Sequence, residues 1–458
     1  MTYLFLAIFL GLIAYFAYFQ VERSEAFINS PYNARQDSFA DRIIRGKIVS
    51  AQGDVLAQTK TSKNGKETRE YPYGRMFAHA VGFSTNGKAG IESIDNFQLL
   101  RSHAFFLEKI LNEIKGQKNI GDTVVTTLDT DVQKAIYEAM GSDQGAAIAM
   151  QPKTGRIIAM VSKPDFDPNT IAADWDSITS EDNSSSVLLN RVTQGLYPPG
   201  STFKLFTMLQ YMREHKDYSN YAYNCSGSLT QDGNTIHCFG NHVHGQEDLN
   251  TAFANSCNAA FASIGLSLDL NKFQKLNKKL LFDSPLPCDF PYKRSSFVLK
   301  AGAGSGEIIQ TSIGQGRTLV TPYHLALVMS SIVNDGVLMK PYIIDKVTNY
   351  SGAEVSAVLP EEYETLLSKK KAAALRQYLR AVVTQGTASA LNSQNYEAAG
   401  KTGSAEFTSA KDSHAWFAGY ASKKGMEDLV ISVVVEGAGT GGAYAVPVAK
   451  AAFDAYFR

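Results

Sequence analysis

Residues 197–209, Tyr197-Pro198-Pro199-Gly200-Ser201-Thr202-Phe203-Lys204-Leu205-Phe206-Thr207-Met208-Leu209, change character in their middle. The Pro-Pro-Gly start cannot easily continue a helix, whereas the apolar run from Phe203 can begin a buried one, which places Ser201 near a helix N-terminus. Lys204 lies three positions on, shares the face of Ser201 and can come within hydrogen-bond reach of its hydroxyl. A lysine that burial or a second cation can strip of its proton is a general base for such a hydroxyl. A helix-capping Ser followed by a snorkelling Lys has the same four letters, so this pair alone decides nothing.

Two more short motifs follow in order. Asn255-Ser256-Cys257-Asn258 sits between two apolar-spaced segments, and a loop between two helices would point Ser256 and Asn258 to one side and Cys257 toward the core. A hydroxyl there can relay a proton, and a carboxamide can hold a substrate amide from its donor and its acceptor. Ala399-Gly400-Lys401-Thr402-Gly403-Ser404-Ala405-Glu406-Phe407 reads as a strand of small residues. Lys401 and Thr402 suit a terminal carboxylate, and Gly403 leaves the approach open. With this strand against Ser201, the backbone N–H groups of Ser201 and Ser404 form an oxyanion hole. Together the motifs supply serine acyl transfer with nucleophile, base, relay and anion site.

The flanking sequence sets the architecture. Gly145 to Met150 and Arg156 to Val161 are apolar runs joined by the turn-like Gln151-Pro152-Lys153-Thr154-Gly155, and Ala415 to Tyr420 and Leu429 to Glu436 form two more. Asp129 or Thr130 is a cap for a helix with apolar spacing at Val132, Ala135, Ile136 and Met140, and Val446 to Phe457 is helical. One antiparallel sheet drawn from both ends, packed with helices, gives an α+β fold for residues 124–458. Residues 21–123 read as a small β-rich pedestal of short strands and Gly turns, more helical from about Ala89 to Ile114, with solvated polar residues and no catalytic constellation. Thr170 to Asn190, rich in Asp, Ser and Asn, reads as a loop.

Thr2 to Gln20 carries no charge and reaches roughly 28 Å as a helix, so residues 1–20 are expected to be a transmembrane anchor. A cleaved signal peptide is the rival, but the charged n-region is missing. No Lys or Arg precedes the segment, so charge does not orient it. Over 458 residues, Lys plus Arg and Asp plus Glu are both 44, a balance that argues against nucleic-acid binding. Cys225 and Cys238 flank a polar loop and could pair as a disulfide or stay reduced. With His237, His242 and His244 nearby, their spacing matches no familiar zinc site, so neither metal nor cofactor is expected.

The motifs and their surroundings resemble class B, monofunctional penicillin-binding proteins. The resemblance extends to Arg45-Gly46-Lys47-Ile48, Thr127-Leu128-Asp129, Pro152-Lys153-Thr154-Gly155, Lys163 to Asn169, Gly314-Gln315-Gly316 and Trp416-Phe417-Ala418-Gly419-Tyr420. Tyr71-Pro72, Ala78-His79, Gly82 and Gly90-Ile91-Glu92 look most like the smaller Gram-positive, PbpA-like type. It implies a penicillin-binding/β-lactamase-like transpeptidase domain on a pedestal, outside the cell membrane on a single anchor. It also implies D,D-transpeptidation of peptidoglycan stem peptides through an acyl-enzyme on Ser201, and inhibition by β-lactams. The pedestal leaves no room for a glycosyltransferase, so a RodA or FtsW-type polymerase is the expected partner. A serine β-lactamase would share the kit but needs a water-activating Glu-x-x-Leu-Asn downstream of Asn258, which is missing. A β-lactam sensor or a non-catalytic scaffold that activates a polymerase are the remaining rivals.

Overall fold

The computed structural model describes residues 2–20, 42–180, 186–392, 395–406 and 413–458. Residues 21–41 at the start of the expected pedestal, and Phe407 at the end of the third motif, lie outside them.

Two compact units emerge, one of Met1–Thr126, Phe166–Asn183 and Ile344–Val358, the other of Thr127–Asp165, Ser184–Ile343 and Leu359–Arg458. The smaller unit thus takes in two segments that follow residue 124. Ile344–Thr348 joins it because it pairs antiparallel with Thr123–Thr126 in a six-stranded sheet. The opposite edge of that sheet is the hairpin of Val55–Thr61 with Glu67–Glu70. The expected helical stretch divides into Gly90–Ile94, Asn96–Leu99 and Phe106–Ile114. Within Thr170 to Asn190, residues Ile171–Thr179 are helical rather than loop. Asp174, Asp176 and Ser177 lie on this helix, which is only partly buried, so polar side chains cost little there, while residues 181–185 of the expected loop lie outside the described residues.

The polar residues of this unit are not all solvated. Glu92 is fully buried, with Arg45 Nε 2.6 Å from its Oε2 and Arg69 Nε 2.7 Å from its Oε1. Burial pushes the Glu92 carboxyl up, but the two guanidinium groups outweigh it and hold it below its ordinary range. Arg69 also donates to the Gly46 carbonyl at 2.6 Å, so the knot ties the chain near residue 46 to the hairpin.

The N-terminal helix spans Thr2–Tyr18 and buries none of its side chains. Its 17 residues reach about 26 Å, short of a hydrocarbon core of about 30 Å. Among the described residues no helix is long and apolar enough to cross a membrane.

The larger unit is α+β. Its five strands are β1 (Gly145–Met150), β2 (Ile157–Lys163), β3 (Glu397–Glu406), β4 (Ser413–Ser422) and β5 (Leu429–Val435). They are ordered β3-β4-β5-β1-β2 and every neighbouring pair is antiparallel. Strands from both ends of the domain thus share one sheet, with β3 at an edge. β1, β2 and β5 are buried at every position, so helices cover both faces. Gly441–Tyr456 and Thr130–Ala139 pack on the sheet and on each other, and Pro322–Val333 is buried along its whole length. Asp129 caps Thr130–Ala139, accepting from Val132 N–H at 2.9 Å.

Candidate active site

Ser201 stands on a 3₁₀ turn, Gly200–Phe203, that runs into the helix Lys204–Glu214. Residues three apart eclipse on such a turn, which stacks Lys204 over Ser201. Phe203 and Phe206 fix the turn from behind: they stack with centroids 5.0 Å apart and both meet Phe282 edge-on. In front, Trp416 on β4 donates from Nε1 to the Pro198 carbonyl at 3.0 Å. Gly200 has φ +53°, and a Cβ there would lie 2.8 Å from the Ser404 carbonyl oxygen. Only glycine lets the turn approach β3 so closely, and this approach sets Ser404 beside Ser201.

Lys204 is fully buried, and the second motif surrounds its ammonium. Nζ donates to the Ser256 carbonyl at 2.6 Å, to Ser256 Oγ at 3.1 Å and to Asn258 Oδ1 at 2.6 Å. The expected contact with Ser201 is replaced: among the described residues Ser201 Oγ makes no hydrogen bond, because all three donors of Lys204 face Ser256 and Asn258. Ser256 reaches this position through a left-handed backbone, φ +59°, uncommon for a residue with a side chain. Asn258 opens the helix Asn258–Ser267, which Cys257 caps by accepting from Ala260 N–H. Cys257 is fully buried, with its Sγ 3.8 Å from Cys238 Sγ. The Asn258 amide also donates to the His237 carbonyl at 2.8 Å, so one of its two N–H groups stays available.

The third motif is β3. Lys401 is 1% exposed, bonds the Thr402 carbonyl at 3.1 Å, and sets Nζ 5.6 Å from the centre of the Phe253 ring. Thr402 Oγ1 lies 2.5 Å from Thr387 Oγ1, a partner with no signal in the sequence, brought in by the end of the helix Lys369–Gln385. At Gly403 a Cβ would come within 3.1 Å of Thr202 and Trp416 and 3.0 Å of the Pro199 carbonyl. The absent side chain therefore serves packing against the Ser201 turn, beyond the open approach expected of it.

The electrostatics follow from two buried lysines. Loss of water pulls Lys204 down to about 7, against the opposing pull of Cys257, Cys238 and Glu247. Lys401 falls well below its ordinary value because it too is desolvated and because the charge of Lys204 acts on it. An amine that titrates near neutrality can accept a proton, and a second starved of charge stabilisation can gain from an anion beside it.

Two family models match: the penicillin-binding protein transpeptidase domain over residues 145–454 and the penicillin-binding protein A dimerisation domain over residues 45–124. The chain is 31% identical to the peptidoglycan D,D-transpeptidase PbpA of Mycolicibacterium smegmatis, covering 90% of this chain and 89% of that protein. It resembles the penicillin G acyl-enzyme complex of penicillin-binding protein A from M. tuberculosis, with TM-score 0.80, 26% identity, and 90% and 99% of the two chains covered. The D,D-transpeptidase domain of a peptidoglycan glycosyltransferase from Eggerthella lenta gives TM-score 0.78, 27% identity, and 90% and 99% coverage. Matched by model along most of its length and by a relative along nearly all of it, the chain belongs to the penicillin-binding protein family of transpeptidases.

Proposed function

We propose that this protein is a peptidoglycan D,D-transpeptidase in which Ser201 is the nucleophile, Lys204 its base and Ser256 the proton relay. Ser201 Oγ attacks the carbonyl carbon of the penultimate D-Ala of a stem peptide and gives its proton to neutral Lys204, which as a free amine keeps two of its three hydrogen bonds to the second motif and turns its lone pair to Ser201. The oxyanion that forms takes hydrogen bonds from the backbone N–H groups of Ser201 and Ser404, a donor pair of the kind in which each is worth about 2.7–4 kcal/mol. The proton passes through Ser256 Oγ to the departing amine, the C–N bond breaks, and terminal D-Ala leaves. An amine from a neighbouring strand then attacks the Ser201 ester, surrenders its proton through the same relay and releases the serine.

Lys401, with Thr402, receives the terminal carboxylate, whose charge restores the ammonium that burial disfavours. Asn258 holds the substrate amide with its remaining N–H. A β-lactam enters as a mimic of the acyl donor, and its ring nitrogen is the tethered leaving group. The observation that supports the reading best is Lys204 Nζ within 2.6–3.1 Å of three acceptors of the second motif, one turn from Ser201.

Residues 1–20 serve as a membrane anchor with residues 124–458 outside the cell, and glycan strands come from a RodA or FtsW-type polymerase. Co-purification from native membranes tests both. For the chemistry, fluorescent penicillin is expected to label the wild type covalently and Ser201→Ala not at all. Equal labelling overturns the nucleophile assignment, and sustained nitrocefin turnover in place of a single burst assigns the site to a lactamase.

A further inference from the structure

Beyond the reacting residues, Cys225, Cys238, His244 and Cys257 each bring one donor atom to a common point, all within 4.8 Å of one another. Cys225 Sγ lies 3.7 Å from Cys238 Sγ and 3.5 Å from His244 Nδ1, and Cys238 Sγ lies 3.8 Å from Cys257 Sγ. Tetrahedral zinc with Zn–S bonds of about 2.3 Å sets its sulfurs about 3.8 Å apart. A disulfide needs about 2.05 Å, and all four cysteines of the chain are free.

The surroundings carry a second argument. Ala222–Cys225 pairs with Gly245–Asp248, and Ser228–Gln231 with Asn234–His237, as two separate two-stranded ladders. Between residues 222 and 248 the buried side chains are those of Cys225, Cys238 and Glu247, while Phe239 and Val243 are exposed. Isolated two-stranded ladders are marginal in water, and this segment has no apolar core of its own to hold them. A cross-link through the sulfurs would. Gly227 N–H points at Cys225 Sγ and Ala260 N–H at Cys257 Sγ, each at 3.4 Å, an outer shell that supports thiolate charge.

We propose that Cys225, Cys238, Cys257 and His244 bind a structural zinc ion. Three soft sulfurs and an imidazole select zinc, and four protein donors leave no open position for catalysis. On binding, three S–H bonds give way to three Zn–S bonds, the protons pass to solvent, and neutral His244 completes the tetrahedron through Nδ1. The spacing of Cys225 and Cys238 with the nearby histidines concealed this site, because His237 and His242 turn out to solvent and Cys257 arrives from the second motif. Cys257 lies between Ser256 and Asn258, so the ion also braces the loop that holds Lys204, a consequence that rests on the transpeptidase reading.

The test is elemental analysis of the full chain, purified in detergent without chelator. About one zinc per chain is expected, lowered by Cys225→Ser and by His244→Ala and unchanged by Cys288→Ser. Cobalt(II) exchange should give a sulfur-to-metal charge-transfer band and tetrahedral ligand-field bands. Wild-type protein titrated with a mercurial, with zinc release followed by a chromophoric chelator, decides the matter without a variant that fails to fold. Zinc below about a tenth of an equivalent after dialysis against the metal overturns the proposal. So does a Cys225–Cys238 or Cys238–Cys257 disulfide in the peptide map, or equal zinc loss in Cys288→Ser. Fluorescent penicillin run in parallel separates the two readings, since label without zinc sinks only the metal site and zinc without label sinks only the transpeptidase.

Discussion

Charge is buried in both units of this protein, by opposite means. In the smaller unit Glu92 sits between two guanidinium groups and stays an anion. In the larger unit Lys204 and Lys401 are buried with no carboxylate bonded to either among the described residues, and each is driven toward its neutral form. In the first arrangement both carboxylate oxygens are matched by a guanidinium, which holds the charge in place. The second is poised, and its cost at rest is recovered when an anion or a proton arrives. On the proposed reading, the difference separates a group kept for structure from one kept for chemistry.

Neutralising Lys204 is the strongest way to break this contrast. Lys204→Met should slow penicillin acylation by about a thousandfold, the scale of a lost general base, while thermal unfolding stays near that of the wild type because an apolar side chain of similar volume fills the site. A fall in stability without loss of acylation, read by stopped-flow labelling and calorimetry, would make Lys204 structural like Glu92. Conversely, Glu92→Ala leaves Arg45 and Arg69 as uncompensated buried charges and should cost about 3–5 kcal/mol of unfolding free energy with acylation by the remaining folded protein unchanged. Denaturant melts and active-site titration measure both.

Lys401→Met probes the anion seat. Removing one charge-assisted contact of about 1.5–3 kcal/mol should reduce acylation by carboxylate-bearing β-lactams roughly 10- to 100-fold, with little effect on a substrate lacking that carboxylate. The pH profile sharpens the same point. Acylation should rise through about pH 7 as Lys204 becomes neutral, falling about tenfold per unit below it. Stability should move in the same direction: an unfolded Lys204 takes its proton near its ordinary value and the folded one only near 7, so falling pH across that window favours the unfolded chain. A profile flat from pH 5 to 8 would remove Lys204 from the role of base. Smallest of all, Asp129→Ala should cost about 1 kcal/mol through its helix cap and leave acylation untouched.

How much of this was legible varies by element. β1, β2, β4 and β5 announced themselves as apolar runs too short for helices and bounded by turns, and the motif strand β3 by its small residues. Ile171–Thr179 was not legible, because its Asp and Ser residues mark loops and exposed helices alike. The pedestal arginines looked solvated because nothing local distinguishes an Arg45 paired with a buried carboxylate from a surface one, and Thr387 carried no sign of meeting Thr402. Lys204 turned to Ser256 and Asn258 rather than Ser201 because the direction of a long side chain is chosen by acceptors far away in the chain.

By itself the sequence determined which chemical groups exist and in what order: a serine and a lysine one turn apart, a hydroxyl and an amide around a thiol, a lysine on a strand, and apolar runs that must share a core. Tertiary structure alone decided that the two lysines are dry and that the charge of Lys204 disfavours that of Lys401, and that the sulfur of Cys257 comes beside Cys225, Cys238 and His244. The reason is physical. Covalent identity is local, whereas protonation and ligation depend on excluded water and on neighbours that only the folded chain assembles.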